Sequence, residues 1–221
     1  MSGQLYLRWL RSLISGNRRQ LLQHRRRLRP GLVEAVIVAQ RRFIERARRE
    51  LAARGRRVVD GHGDLRAEHV FLGPPVGVID CLEFDAQLRR LDPPHDLALL
   101  VLEIERLGDA RRAAAVYRAY RAGAHDDISD AALHFYVSLT ATTRAKLAAW
   151  HIGDPQFPRT RPWIERARDY LHDARAHIGA ALALLDRPSA GSATAAVGWR
   201  PVGQQWRERQ AGVQPRESTT E

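Results

Sequence analysis

Residues 57–96 interrupt an otherwise helical pattern with an extended, turn-rich and acidic stretch. Helical periodicity on both sides of so short a break restricts the fold to α+β, predominantly helical, with its only sheet in this segment. Val58 and Val59 open a β-type run, and His62-Gly63-Asp64 reads as a loop. Val70–Leu72 and Val76–Ile79 read as two strands around the turn Gly73-Pro74-Pro75. An antiparallel hairpin centred between the two prolines sets His69 opposite Asp80. Opposed residues on one face lie roughly 4.5–5.5 Å apart at Cβ. With Asp64 in the loop just before, such a cluster suits a metal-bound phosphate.

The flanks supply the helices. One is expected over residues 5–28, with Leu10, Leu13, Ile14, Leu21 and Leu22 on its apolar side and a possible break at Gly16-Asn17. Pro30-Gly31 separates it from a second, about 32–53, with Val33, Val36, Ile37, Gln40, Ile44, Ala47 and Leu51 at helical spacing. Asp92-Pro93 starts a third in the favoured order, an acidic N-cap before proline at the first helical position. That helix is apolar almost all round (Leu97 to Ile104) and is expected to be the buried helix of the domain. Shorter and longer helices follow at 110–122, 130–151 and 162–186, the last with a stripe from Ile164 to Leu185. Residues 187–221, rich in Pro, Ser, Gly, Gln and Thr, read as a disordered tail after a single domain over 1–186.

Charge and cysteine usage narrow the function classes. Residues 1–57 carry 16 arginines against three acids, so the formal net charge of +11 is local to the first helices. Apart from Phe43, no aromatic residue falls among the second helix's arginines, which favours a solvated amphipathic face over nucleic-acid binding. No apolar run reaches the roughly 20 residues of a bilayer span, and no signal-peptide core precedes a cleavage site, so no membrane partner is expected. The single Cys81 excludes an internal disulfide framework, fits a reducing cytoplasm, and is expected to be a small buried residue.

Phosphoryl transfer asks for an acid that orients or deprotonates a hydroxyl and for ligands that hold a metal against nucleotide phosphates. Asp64, His69 and Asp80 meet that requirement in type and order. The stretches His62-Gly63-Asp64-Leu65, Val78-Ile79-Asp80 and Asp92-Pro93-Pro94-His95-Asp96-Leu97-Ala98 resemble the three ordered motifs of aminoglycoside phosphotransferase-like kinases, which have the protein-kinase-like fold. The resemblance is motif-specific over 57–98 and is taken to extend over 1–186. It implies a C-terminal kinase lobe, with 1–56 as leading helices, 57–96 as catalytic loop and metal-site hairpin, and 97–186 as helical subdomain.

The roles carried over are specific. Asp64 matches the catalytic aspartate and Asp80 the metal-binding one; Asp96 matches an aspartate that holds the loop's backbone, with His62 as a supporting loop histidine. His69 stands where these kinases have asparagine, and imidazole suits Mn²⁺ better than Mg²⁺. It is a candidate ligand of metal and nucleotide; Glu83 is the alternative second ligand beside Asp80. The implied cofactor and partners are ATP with Mg²⁺ or Mn²⁺ and a hydroxyl-bearing small molecule. Nothing before residue 57 reads as the glycine-rich strand–loop with a lysine that completes such a kinase, since the only lysine is Lys146. The N-terminal lobe is therefore expected to be missing, leaving a fragment, a lobe that works with a partner chain, or a pseudokinase acting as a binding module with an Arg-rich face. A metal-dependent phosphohydrolase using His95-Asp96 with His62 and His69 is the remaining alternative.

Overall fold

The computed structural model describes residues 1–187; all of the expected tail except Arg187 lies outside them. The elements are α1 (Gly3–Gln23), α2 (Pro30–Arg46), α3 (Arg48–Arg54), β1 (Val59–Asp60), β2 (Val70–Phe71), β3 (Gly77–Val78), α4 (Ala86–Arg89), β4 (Arg90–Leu91), α5 (Pro93–Arg106), α6 (Ala110–Gly123), α7 (Asp130–Trp150) and α8 (Thr160–Leu185). The chain is thus predominantly helical, with two small antiparallel sheets inside the interruption. Among the described residues no helix is long and apolar enough to cross a membrane.

Local chemistry sets most helix ends. The Ser2 hydroxyl accepts from Leu5 N at 3.3 Å, Asp109 from Arg112 N, and Ser129 from Ala132 N, each satisfying an amide that the first turn leaves open. Pro30 and Pro93 occupy first helical positions, where the missing N–H costs nothing. Pro30 therefore starts α2 rather than separating it from α1. Gly16-Asn17 does not break α1, because Asn17 is buried and its amide donates to Thr143 Oγ1 at 3.1 Å. The expected single helix over 32–53 is two, broken at Ala47. Nothing in the sequence marks that break.

The buried helix is α7, not α5. Of α5, Leu97 and Leu100 stay partly exposed, while α7 is covered on nearly every side by α1, α2, α5 and α8. Its turns carry Ala131, Ala132, Ser138, Ala141, Thr142, Ala145, Ala148 and Ala149, small enough for neighbouring helices to approach closely. That burial leaves only a faint mark on the pattern of hydrophobicity. The core around it, with Tyr6, Leu10, Ile14, Val36, Phe43, Phe135 and Leu171 fully inaccessible, stabilises the fold by about 1.5–3 kcal/mol per large side chain. Gln40 crosses from α2 to α7, donating to Ser138 Oγ and Thr142 Oγ1, both at 2.9 Å.

A few arginines of the Arg-rich helices form surface ion pairs, such as Arg11–Glu45 at 2.8 Å and Arg18–Glu34 at 2.6 Å. Exposed pairs of this kind are screened by solvent and contribute little to stability. Arg54 differs. It is buried, donating to Asp92 on α5 at 2.6 and 2.7 Å and to Asp126 at 2.6 and 2.8 Å. Asp92 also accepts from the Tyr136 hydroxyl, so its carboxylate serves this network and does not cap α5.

Candidate active site

The loop between β1 and β2 is fixed on three sides. From α5, Asp96 accepts from His62 N at 2.6 Å and Gly63 N at 2.9 Å. Glu103, also on α5, accepts from Ala67 N at 2.8 Å. From the other side Arg89 binds both oxygens of Asp60 and the carbonyl of Leu82, while its own carbonyl accepts from Gly61 N. The glycines here are steric requirements. A Cβ on Gly61 would lie 2.5 Å from Asp96 Oδ2, and Gly63 adopts φ +82 with Leu82 Cδ1 only 2.9 Å from where a Cβ would stand.

The hairpin forms with a different register from the expected one. Val70 pairs with Val78 and Phe71 with Gly77, so the centre falls on Pro74 and Ile79 stands opposite His69, its N–H donating to the His69 carbonyl at 3.0 Å. One residue of slip sends a side chain to the other face of a strand. Asp80 nevertheless meets His69, with Nε2 and Oδ2 3.2 Å apart. The strand has ended by then, and Asp80 adopts φ +62, the left-handed conformation open to aspartate, which brings the carboxylate to His69.

Hydrogen bonds fix both histidine tautomers. His69 is buried, and its Nδ1 lies 3.0 Å from the carbonyl of Asp64; a carbonyl only accepts, so Nδ1 carries the proton. In the neutral ring Nε2 then turns a lone pair toward Asp80 Oδ2. Two acceptors at that distance call for a proton or a cation between them, and an Nδ1–H held by a carbonyl is how metal-binding histidines are commonly oriented. His62 donates from Nε2 to Ile79 O at 2.7 Å and lies against His69 with ring centroids 5.6 Å apart. Its Nδ1 accepts from Asp64 N at 3.4 Å. His62 thus holds the loop to the hairpin's far end. Among the described residues no group of three or more His, Cys, Asp or Glu side chains is arranged to hold a metal, so His69 and Asp80 stand as a pair and the exposed Glu83 does not complete a third position.

Asp64 faces the other way, into a cavity of about 480 Å³ between the loop, α1, α5 and α7. Its Oδ1 is 3.3 Å from Arg144 Nη1. Trp9, Leu13, Leu99, Leu147 and Trp150 form much of the wall, and Asp96 and His95 line it as well. His95 is buried between Trp9 and Tyr136, and burial pushes its pKa down to about 4. It does not join His62 and His69, so the ligand set considered for a phosphohydrolase is not assembled. A second hollow of about 510 Å³, between Gln23–Arg27 and Gly153, has no carboxylate in its lining. Cys81, expected to be buried, is exposed.

Sequence reasoning missed Arg144 and the tryptophans, and considered His95 only as a phosphohydrolase ligand. The one available signal was that Arg144 and Lys146 are the only Lys or Arg residues of α7. The approach of Arg144 to Asp64 across 80 positions is a product of the tertiary fold.

Comparison with known proteins adds little about chemistry. No family model matches the chain, and no solved structure matches it. It is 37% identical over 92 residues to an uncharacterized protein of Mycobacterium bovis and, to the same extent, to one of Mycobacterium tuberculosis. The aligned part is 41% of this chain and 18% of each relative, so the chain spans less than a fifth of the length of these curated relatives.

Proposed function

We propose that this chain is the catalytic-loop half of an ATP-dependent small-molecule phosphotransferase of the aminoglycoside phosphotransferase type, acting in the cytoplasm. One observation carries the reading. His69 joins the two acids, donating from Nδ1 to the backbone of Asp64 and presenting Nε2 to Asp80. A carboxylate facing a cavity is thereby tied to a carboxylate–imidazole pair on the hairpin.

In this reading Asp64 accepts a hydrogen bond from the acceptor's hydroxyl and orients it, taking its proton as the new phosphorus–oxygen bond forms and the bond from the γ-phosphorus to the bridging oxygen breaks, releasing ADP. Arg144, 3.3 Å from Asp64 Oδ1, holds that carboxylate where it lines the cavity. Asp96 holds the loop through the amides of His62 and Gly63, so Asp64 is set on a rigid backbone. Asp80 and His69 are the residues that would hold a divalent ion. Two protein ligands fit an ion whose other positions belong to nucleotide phosphates and water, and the imidazole favours Mn²⁺. The ion, when bound, neutralises charge on the transferring phosphoryl group. The nucleotide-gripping elements are sought in another segment or partner chain, because α1–α3 occupy most of residues 3–54 and Lys146 lies on α7. The exposed apolar residues along the hairpin, Phe71, Leu72, Val76, Val78 and Ile79, form a surface suited to such a partner. No observation favours a phosphohydrolase.

Calorimetry with ATP and Mn²⁺ or Mg²⁺ tests the assignment. Asp80→Ala is expected to weaken metal–nucleotide binding at least about tenfold, a change of roughly 1.4 kcal/mol. Unchanged binding removes Asp80 from the metal site.

A further inference from the structure

The cavity at Asp64 carries chemical detail beyond the phosphotransferase reading, on which its orientation of the acceptor rests. An acceptor with several ammonium groups needs several carboxylates, since a charge removed from water must be paired. This cavity offers few. Asp96 is engaged by two backbone amides and Asp64 faces Arg144, while the remaining charged side chains of the lining are the cations Arg144 and Lys146. The walls are apolar and aromatic, with Trp9 on α1 and Trp150 on α7 joined by Leu13, Leu99 and Leu147. Lys146 Nζ lies 5.2 Å from the Trp150 ring centroid, a cation held over the aromatic wall.

Two polar atoms in this lining have no hydrogen-bond partner among the described residues, Arg144 Nε and His95 Nδ1. His95 is 8% exposed, so its ring is more than nine-tenths buried. A buried polar atom without a partner is destabilising, a cost that a bound polar group removes. The guanidinium donates only, which selects an oxygen acceptor or an anion. About 480 Å³ falls within the usual range for small-molecule sites.

We infer that the cavity takes a hydroxylated aromatic molecule, neutral or singly anionic, with its hydroxyl at Asp64 and its ring between Trp9 and Trp150. An anionic or carbonyl oxygen on that molecule meets Arg144 and Lys146. A polycationic amino sugar is excluded by the same lining.

The test titrates the full chain by calorimetry with three probes: 6-hydroxy-2-naphthoate, 2-naphthol and the polycation kanamycin. Hydroxynaphthoate is expected to bind most tightly, 2-naphthol more weakly and kanamycin not at all. Arg144→Gln should weaken hydroxynaphthoate about tenfold and 2-naphthol about twofold or less, in line with loss of a charge-assisted contact. Leu147→Glu puts a carboxylate into the partly buried apolar wall and should abolish both naphthyl probes; its circular dichroism reports that the fold is kept. Kanamycin binding more tightly than hydroxynaphthoate overturns the inference. So does naphthyl binding unaffected by Leu147→Glu, or no naphthyl binding at all. The metal–nucleotide titration with Asp80→Ala is run separately. Naphthyl binding without metal–nucleotide binding upholds the acceptor class and removes Asp80 and His69 as a metal–nucleotide site of this chain. Metal–nucleotide binding with kanamycin preferred removes the acceptor class alone.

Discussion

Gly61 measures how closely the loop and Asp96 are fitted. Any side chain there meets Asp96 Oδ2 at 2.5 Å, and the carboxylate has to leave the amides of His62 and Gly63. Gly61→Ala is expected to cost about 1–3 kcal/mol. Hydrogen exchange should quicken at those two amides while the α7 and α8 amides stay protected; unchanged exchange at His62 and Gly63 would sink the idea. The motif around Asp64 could be read from residue order because loop, hairpin and helix start are local chemistry. The contact between His69 and Asp80 was expected for a different reason from the one that produces it. The ladder places Ile79 opposite His69, and the left-handed backbone of Asp80 brings the carboxylate round. Hydrophobic alternation over strands of two residues is too short to fix a register.

Among elements, α3 shows what a single buried arginine does. Arg54 binds Asp92 at the start of α5 and Asp126 before α7, and Asp126 also accepts from the Tyr120 hydroxyl at 2.6 Å. Burial alone would raise the Asp126 carboxyl, but the bonds from Arg54 and Tyr120 outweigh it and hold the pKa at about 2. Arg54→Met leaves two acids buried without their cation. A loss of about 3–5 kcal/mol is expected from urea unfolding. A loss below about 1 kcal/mol would mean that water or Arg57, 3.4 Å from Asp126, takes over. From sequence alone Asp92 looked like a helix cap, and its proline neighbour supports that geometry. The network that claims its side chain comes from residues 38 and 44 positions away.

At the scale of the whole molecule, the buried imidazoles make stability depend on pH. Burial lowers His95 to about 4; burial and the neighbouring His177 lower His134 to about 2. Both stay neutral in the folded chain and take up a proton near 6.5 when it unfolds. The unfolded state therefore binds more protons below that value, and stability falls as pH drops. From pH 7.5 to 5.5 the two together should remove about 2–3 kcal/mol, read from urea midpoints. Asp92, Asp169 and Asp173, which burial raises, act in the opposite direction as they protonate toward acid pH. A His95→Gln/His134→Gln double variant should flatten the slope over that interval; an unaltered slope would place the protons elsewhere.

The sequence by itself determined the helices with large-residue stripes, the proline-marked start of α5, the interruption at 57–96 and the order of its acids, because each depends on chemistry within a few residues. Tertiary structure alone decided that α7 is the buried helix, since small residues bury by close approach and leave little hydrophobic signal. It decided the burial of Arg54 as well. It also set Asp64 between His69 on one side and a Trp-lined cavity with Arg144 on the other, a juxtaposition of α1, α5, α7 and the loop that no local pattern encodes.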